Sequence, residues 1–214
     1  MEQNIAFFFD LDGVIIDTEP QYDLFWRTIA QKYNLLIRDF EKVIKGNTLP
    51  NIMTKYFYSF PIEVQEEIEA DNKAFDLRMD IVPIPGVIDF LEELKKADIP
   101  AGLVTSSSDR KLDYVFSQLP LEQYFQSVVS GERVREGKPN PMCYLLSAED
   151  LCVDPQCGVV FEDSLNGINS GNAAGMKVIG LSTTHPKEMI EPYCSSVIPN
   201  FESINLDTIL KSIR

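Results

Sequence analysis

The sequence has little of what several kinds of functional site require. It contains one His and four Cys, and no two cysteines form a Cys-x-x-Cys pair. Because Cys and His are the usual zinc ligands, a zinc site is not expected, nor is a triad that depends on a His base. We expect reduced thiols in a cytoplasmic protein. The cysteines are Cys143, Cys152, Cys157 and Cys194.

Basic residues and long apolar runs are also scarce. The 214 residues include 19 Lys and Arg against 33 Asp and Glu, which gives a formal net charge of −14. An acidic surface repels phosphate backbones and anionic lipids, so we expect no nucleic acid and no membrane as a partner. No apolar run is long enough to predict a membrane span. A small phosphate stays an admissible ligand, because it needs only a local cluster of donors or a cation.

Short apolar runs alternate with stretches of helical spacing through most of the chain. This alternation predicts an α/β fold with a doubly wound parallel sheet, whose strands are apolar because helices cover both faces. The predicted strands are Ile5–Phe9, Ala101–Val104, Ser127–Val129, Gly158–Phe161, Val178–Leu181 and Ser196–Ile198. The predicted helices between and after them are Gly86–Lys96, Asp109–Leu119, Ser164–Gly175 and Leu206–Ile213.

The alternation is interrupted between residues 18 and 82, where only helical spacing is found. We therefore predict an α-helical cap domain of residues 18–82, inserted into a core domain of residues 1–17 and 83–214. The predicted cap helices are Glu19–Tyr33, Leu49–Tyr58 and Pro61–Met79, and the aromatic residues of the first are expected in the cap's own core.

Acidic residues follow two of the predicted strands. Asp10 and Asp12 follow the first strand, and Glu162 and Asp163 follow Gly158–Phe161. Ligands of parallel α/β sheets bind beyond the carboxyl ends of the strands, where four carboxylates repel one another unless a cation neutralises them. Oxygen ligands favour Mg²⁺, and a carboxylate can also attack phosphorus. The alternative is that these residues only form turns and helix caps.

Hydroxyl groups and one lysine follow two further strands. Thr105–Ser108 comes after Ala101–Val104, and hydroxyls and N–H groups at a helix start bind anions, so we assign Ser106 to a phosphate. The alternative is an N-cap, for which Ser108 is a candidate. Lys138, beside Pro139, follows the strand Ser127–Val129 and can supply positive charge to a phosphoryl oxygen.

Taken in order, these residues resemble the motifs of the haloacid dehalogenase superfamily. The strings FDLDGVIIDTEP, LVTSSS, GKPNP and FEDSLNGINSGNAAG are similar to the branch that contains β-phosphoglucomutase and sugar-phosphate phosphatases. The resemblance covers nearly the whole chain. It implies Mg²⁺-dependent transfer of a phosphoryl group from a small phosphorylated substrate, and a helical cap after the first motif.

The resemblance also implies a role for each matching residue. Asp10 would be the nucleophile and a Mg²⁺ ligand. Asp12 would be the general acid and base, and would lend its backbone carbonyl to the metal. Glu162 and Asp163 would hold the metal, Glu162 through water or directly. The residues that would hold the phosphoryl group are Ser106 and Lys138, with the N–H groups of Leu11 and Ser107.

The acceptor of the phosphoryl group stays open in the sequence. Water gives a phosphatase, and a sugar hydroxyl gives a mutase. The mutase has an Arg after a Lys-Gly-x-Ser string and a His on its first cap helix, whereas this chain has Leu49 after Lys45–Thr48 and Tyr22 at the matched position. Lys45 or Arg78 would have to replace that Arg as the substrate's second anchor.

We therefore predict a phosphatase of a small phosphorylated metabolite, expected to be a sugar phosphate, that acts as a monomer or weak homodimer. Three alternatives stay open: a phosphosugar mutase, a dehalogenase that needs no metal, and a catalytically silent binding or regulatory module.

Overall fold

The computed structural model describes residues 5–45, 47–202 and 204–212. Its sheet contains six strands: β1 (Ala6–Phe9), β2 (Ala101–Val104), β3 (Ser127–Val129), β4 (Gly158–Glu162), β5 (Lys177–Leu181) and β6 (Ser196–Ile198). Their order in the sheet is β3-β2-β1-β4-β5-β6, and every neighbouring pair is parallel. The predicted α/β class and its parallel sheet are confirmed.

Most of the helices lie where the apolar spacing predicts them. They are α1 (Glu19–Lys32), α2 (Phe40–Val43), α3 (Leu49–Ile52), α4 (Ile62–Phe75), α5 (Val87–Lys96), α6 (Asp109–Gln118), α7 (Met142–Asp150), α8 (Leu165–Ala173), α9 (Lys187–Ile190) and α10 (Leu206–Ser212). Short 3₁₀ segments occupy Leu121–Tyr124, Gly131–Arg133, Pro155–Cys157 and Glu191–Tyr193. The predicted last helix ends one residue later, at Ile213, which is outside the described residues.

Strand β1 shows why the sheet is covered on both faces. Successive side chains of a strand point to opposite faces, and all four residues of β1 are fully buried. Phe7 and Phe9 pack with Phe90 of α5, whereas Phe8 packs with Tyr144 of α7 in a second cluster. The ring of Phe9 stacks on that of Phe161 with 5.0 Å between centroids. The aromatic packing fixes the ends of β1 and β4, the two strands that carry the acidic residues.

The chain divides into two compact units, Met1–Asp17 with Ile81–Arg214 and Thr18–Asp80. The second unit contains α1 to α4 and has its own apolar core, in which Trp26 and Phe57 are buried. Its second boundary falls at Asp80, where the sequence analysis placed it at residue 82. Within the described part of the chain, no helix is long and apolar enough to cross a membrane.

Several segments differ from the predicted helices. The short helices α2 and α9 were not predicted, and the helix predicted for Pro61–Met79 ends at Phe75. The stretch predicted as one helix, Leu49–Tyr58, is α3 followed by a π-helical turn, Met53–Phe57, whose wider spacing accompanies the burial of both its end residues. Helix α7 was not predicted, because its buried positions include a polar residue, Ser147, and so do not form an apolar stripe.

Candidate active site

The point where β1 and β4 lie side by side brings the acidic residues together. Phe9 pairs with Phe161 in register, and the N–H of Asp10 donates to the Phe161 carbonyl at 3.1 Å. The chain runs from β1 to β2 and β3 on one side, and then returns to β4 on the other side of β1. Such a switch in strand order is where open α/β sheets bind ligands, at the carboxyl ends of the strands.

Gly13 allows the turn after β1 to approach Asp163 closely. Its φ is +76°, in the left-handed region that favours glycine, and its N–H donates to the Ile16 carbonyl at 2.8 Å. A Cβ at this position would overlap the carboxylate of Asp163. The turn Asp12–Gly13 is therefore built so that the two acidic segments meet.

Three of the four predicted acidic residues form one buried cluster. Carboxylate oxygens of Asp10, Glu162 and Asp163 all lie within 4.8 Å of one another, and the three residues are buried. One lysine, Lys138, contacts two of them, so the cluster keeps a net negative charge. An all-oxygen, net negative cluster fits a hard divalent cation such as Mg²⁺.

Lys138 connects the predicted nucleophile to Glu162. Its Nζ lies 2.6 Å from Asp10 Oδ1 and 2.6 Å from Glu162 Oε1, and donates to the Val104 carbonyl at 3.0 Å. Burial alone would lower the pKa of Lys138, but the negative charges of Asp10 and Glu162 raise it well above its ordinary value. Lys138 is therefore a fixed positive charge at the end of β1.

The nucleophile candidate itself is hard to ionise without further positive charge. Burial raises the pKa of Asp10 to about 7; Lys138 opposes this shift, and the nearby Glu162 and Asp12 add to it. A carboxylate attacks phosphorus only in its ionised form. A divalent cation in the cluster would favour that form, which is a second observation consistent with a metal here.

Glu162 is enclosed by hydrogen-bond donors. Its Oε1 accepts from Lys138 and, at 2.9 Å, from the hydroxyl of Tyr144. Its Oε2 accepts from the N–H groups of Asp163 and Ser164 and from the Ser164 hydroxyl, at 3.1–3.2 Å. The pKa of Tyr144 is raised well above its ordinary value, by burial and then by Glu162, so it stays a donor. Tyr144 lies on α7, six residues after Lys138, and no motif in the sequence marks it as part of the site.

Asp163 and the Gly13 turn are anchored from the far side by two threonines. The Thr184 hydroxyl donates to Asp163 Oδ2, and the Thr183 hydroxyl donates to the Gly13 carbonyl at 2.6 Å. Both threonines lie in the loop after β5, two and three residues beyond its last residue, Leu181. Their position after a predicted strand is the signal in the sequence that could have identified them.

Asp12 points its carboxylate to a different lysine. Nζ of Lys111 lies 2.7 Å from Oδ1 and 2.8 Å from Oδ2 of Asp12, and the Ser107 hydroxyl donates to Oδ2 at 2.9 Å. Lys111 stands in the first turn of α6 and is 2% exposed. Its role is not predictable from the sequence, because a lysine one position before the apolar stripe of a helix is normally solvated.

The hydroxyl residues after β2 are arranged one position differently from the prediction. Thr105 is buried and its Oγ1 accepts from the N–H of Ser107 at 3.0 Å, whereas Ser106 is exposed. Ser108 is the N-cap of α6 and accepts from the N–H of Lys111. The phosphate role of Ser106 stays a prediction, and this placement favours Thr105 as the buried hydroxyl of the site.

The two cap residues predicted to contact substrate lie in the Thr18–Asp80 unit. Nζ of Lys45 is 2.8 Å from a Glu19 carboxylate oxygen and 3.3 Å from one of Asp23. Arg78 is exposed, and its Nε donates to the Ala74 carbonyl at 3.2 Å. The charge of Lys45 is thus already matched by two carboxylates of its own unit.

A family model and two curated relatives agree on the family of this chain. The model of the family described as haloacid dehalogenase-like hydrolase matches residues 7–181. The phosphorylated carbohydrates phosphatase of Thermotoga maritima is 32% identical over 210 residues, which are 94% of this chain and 97% of that protein. The β-phosphoglucomutase of Bacillus subtilis is 31% identical over 196 residues, 85% of this chain and 84% of that one.

A solved structure has a similar fold over the full length. The HAD hydrolase of family IA, variant 3, from Entamoeba histolytica superposes with a TM-score of 0.86 at 25% identity, covering 98% of this chain and 99% of that chain. Residues 7–181, which the family model matches, include all four motifs of the sequence analysis.

Proposed function

The chain belongs to the haloacid dehalogenase-like hydrolases. On that premise we propose that it is a phosphatase, which hydrolyses a small phosphorylated carbohydrate through a phosphoryl ester of Asp10, with Mg²⁺ as cofactor. The observation that supports this most directly is the buried cluster of Asp10, Glu162 and Asp163 around Lys138. A nucleophile, oxygen ligands for a cation and a fixed positive charge stand together at one strand end.

Asp10, Asp163 and the backbone carbonyl of Asp12 would hold the metal, with Glu162 in support through its contacts to Lys138 and Tyr144. Bound there, Mg²⁺ supplies positive charge that offsets the charge of the phosphoryl oxygens and keeps Asp10 ionised. Because both oxygens of Glu162 already accept hydrogen bonds, we assign it to orienting Lys138 rather than to the nearest metal ligands.

The chain's own residues then account for the two chemical steps. In the first, an oxygen of Asp10 forms a bond to phosphorus, the bond from phosphorus to the alcohol oxygen breaks, and Asp12 gives that oxygen its proton. In the second, Asp12 takes a proton from water as the water oxygen bonds to phosphorus. The bond between phosphorus and the Asp10 oxygen breaks, inorganic phosphate leaves, and the carboxylate of Asp10 is restored.

Water is the acceptor that the cap residues favour. A mutase must hold a second phosphate at a distance from the reacting one, and this needs a cation that is free to bind it. Leu49 follows where the mutase has its Arg, and of the two candidate replacements Lys45 is already paired with Glu19 and Asp23. The other, Arg78, uses its Nε for the Ala74 carbonyl. The name of the Thermotoga relative supports a phosphorylated carbohydrate as the substrate class.

The test is a panel of sugar phosphates and polyol phosphates, with released inorganic phosphate measured with Mg²⁺ and with excess chelator. We expect metal-dependent release from the wild-type protein, none from Asp10→Asn, and wild-type release from Asp113→Asn, which changes an exposed aspartate of α6. Conversion of β-glucose 1-phosphate to glucose 6-phosphate without free phosphate would instead show the mutase.

Two other outcomes would contradict the proposal. No turnover anywhere in the panel would support a silent binding module. Activity on a haloacid that survives chelation would support a dehalogenase.

A further inference from the structure

We propose that Lys111 is a positioning residue that holds the carboxylate of Asp12 for proton transfer. The inference rests on the proposed function, since it presumes that Asp12 is the general acid and base. It starts from a charged side chain that is almost wholly enclosed: the Lys111 side chain is 3% exposed, against 26% for that of Asp12. Lysine is almost never buried to this degree unless it is paired.

The start of α6 brings Lys111 to this position. Ser108 caps the helix by accepting from the N–H of Lys111 at 3.3 Å, which fixes the lysine in the first turn, next to the loop after β2. The same loop carries Ser107, whose hydroxyl contacts Asp12 at 2.9 Å. One short segment thus supplies two donors to a carboxylate that is 95 or more residues away in sequence.

The contacts from Lys111 restrain both carboxylate oxygens of Asp12. Nζ of Lys111 lies 2.7 Å and 2.8 Å from the two oxygens, so rotation of the carboxylate lengthens at least one contact. A proton-transfer group must lie within hydrogen-bond reach of its target, and a displacement of about 1 Å can slow the reaction by about a hundredfold. Without the lysine, the Asp12 carboxylate would lose the donor that contacts both of its oxygens and would keep the Ser107 hydroxyl, which contacts one of them.

The site therefore divides its positive charge between two buried lysines. Lys138 contacts Asp10 and Glu162, the nucleophile and its support, and Lys111 contacts Asp12. A lysine that serves only to stabilise the fold would affect all substrates alike when it is replaced. A lysine that positions the proton donor affects those substrates whose leaving group needs a proton.

The experiment compares two substrates that differ in this need. The leaving group of a hexitol phosphate is an alkoxide that must be protonated, whereas the leaving group of p-nitrophenyl phosphate is a stable phenolate. For Lys111→Met, which keeps the length of the stem, we expect kcat/KM to fall about 10–100-fold for the alkyl phosphate, and less than about threefold for the aryl phosphate. Lys111→Arg should restore most of the loss, and Lys96→Met, on the exposed face of α5, should have no effect.

A double-mutant cycle tests whether the lysine acts through Asp12. In the Asp12→Asn background, Lys111→Met should add less than about a twofold further loss, because the group it positions is gone. An equal loss for both substrates, a full additional loss in that background, or no loss at all would overturn the inference while leaving the proposed function intact.

Two further results complete the test. If Lys111→Met does not fold, Ser107→Ala removes the other anchor of Asp12 and should give a smaller loss confined to the alkyl phosphate; a loss shared by both substrates would overturn the inference. If the wild-type protein turns over no phosphate ester, the proposed function fails first, and the role of Lys111 fails with it.

Discussion

Replacing Gly167 with alanine tests how rigidly the site holds Glu162. Gly167 lies in the first turn of α8, and its N–H donates to the Ser164 hydroxyl at 3.0 Å. A Cβ at this position would overlap the carboxylate of Glu162. Glu162 is fully buried and held by Lys138, Tyr144 and the donors of residues 163 and 164, so it has no free direction in which to move.

The loss of stability in Gly167→Ala depends on which contacts of Glu162 must shift or break. Overpacking a buried site costs about 1–3 kcal/mol, and each hydrogen bond to a charged group that breaks costs about 1.5–3 kcal/mol. Alanine regains up to about 1 kcal/mol of helix propensity over glycine. With one such hydrogen bond broken, we expect a net loss of about 1.5–5 kcal/mol in the free energy of unfolding, which lowers Tm by about 3–20 °C at this chain length. Mg²⁺ binding should weaken by about tenfold or more.

The assay is thermal unfolding of the metal-free protein, followed by calorimetric titration with Mg²⁺. Gly137→Ala is the matched control, since a Cβ there meets no atom within 4 Å although it lies beside Lys138. It should change the free energy of unfolding by less than about 0.5 kcal/mol. Wild-type Tm and wild-type Mg²⁺ affinity for Gly167→Ala would refute the view that Glu162 is immobile and supports the metal site.

Two further predictions concern titratable groups outside the site. The hydrogen bond from Arg133 lowers the pKa of Asp150 below its ordinary 3.8, so this pair stabilises the fold above that pH and stops doing so as pH falls through the lower folded value. The stability difference between wild type and Asp150→Asn, measured by urea unfolding, should therefore stay constant from about pH 7 to about pH 5 and shrink as pH falls below about 4; a difference that stays constant at every pH would contradict this. Burial, and secondarily Glu162, raises the pKa of Cys194 to about 11, so at neutral pH iodoacetamide should modify exposed Cys152 first, as read by peptide mass spectrometry. Equal rates of modification at Cys152 and Cys194 would contradict this prediction.

The strands were predictable from the sequence because the sheet is covered on both faces. Burial on both sides makes a strand such as AFFF continuously apolar, and the acidic residues that end β1 and β4 mark the boundary sharply. The same boundary places Asp10 beside Glu162. For that reason, the acidic cluster could be predicted before any coordinates were known.

The rest of the site depends on contacts that the sequence does not encode locally. Lys111 and Tyr144 lie on helices whose charged or polar side chains normally face water, and only the packing of α6 and α7 onto the sheet turns them inward. The choice between Thr105 and Ser106 depends on where β2 ends, and a shift of one residue exchanges the buried hydroxyl for an exposed one. Such boundaries are set by tertiary structure.

The most direct test of the central claim is to find the phosphoryl group on the protein. The enzyme is mixed with a turned-over sugar phosphate and Mg²⁺, quenched in acid within the first turnover, and digested for peptide mass spectrometry. The account predicts one added phosphoryl group on the peptide that contains Asp10, lost in Asp10→Asn. Steady turnover with an unmodified Asp10 peptide at every quench time, or a phosphoryl group on another residue, would contradict it.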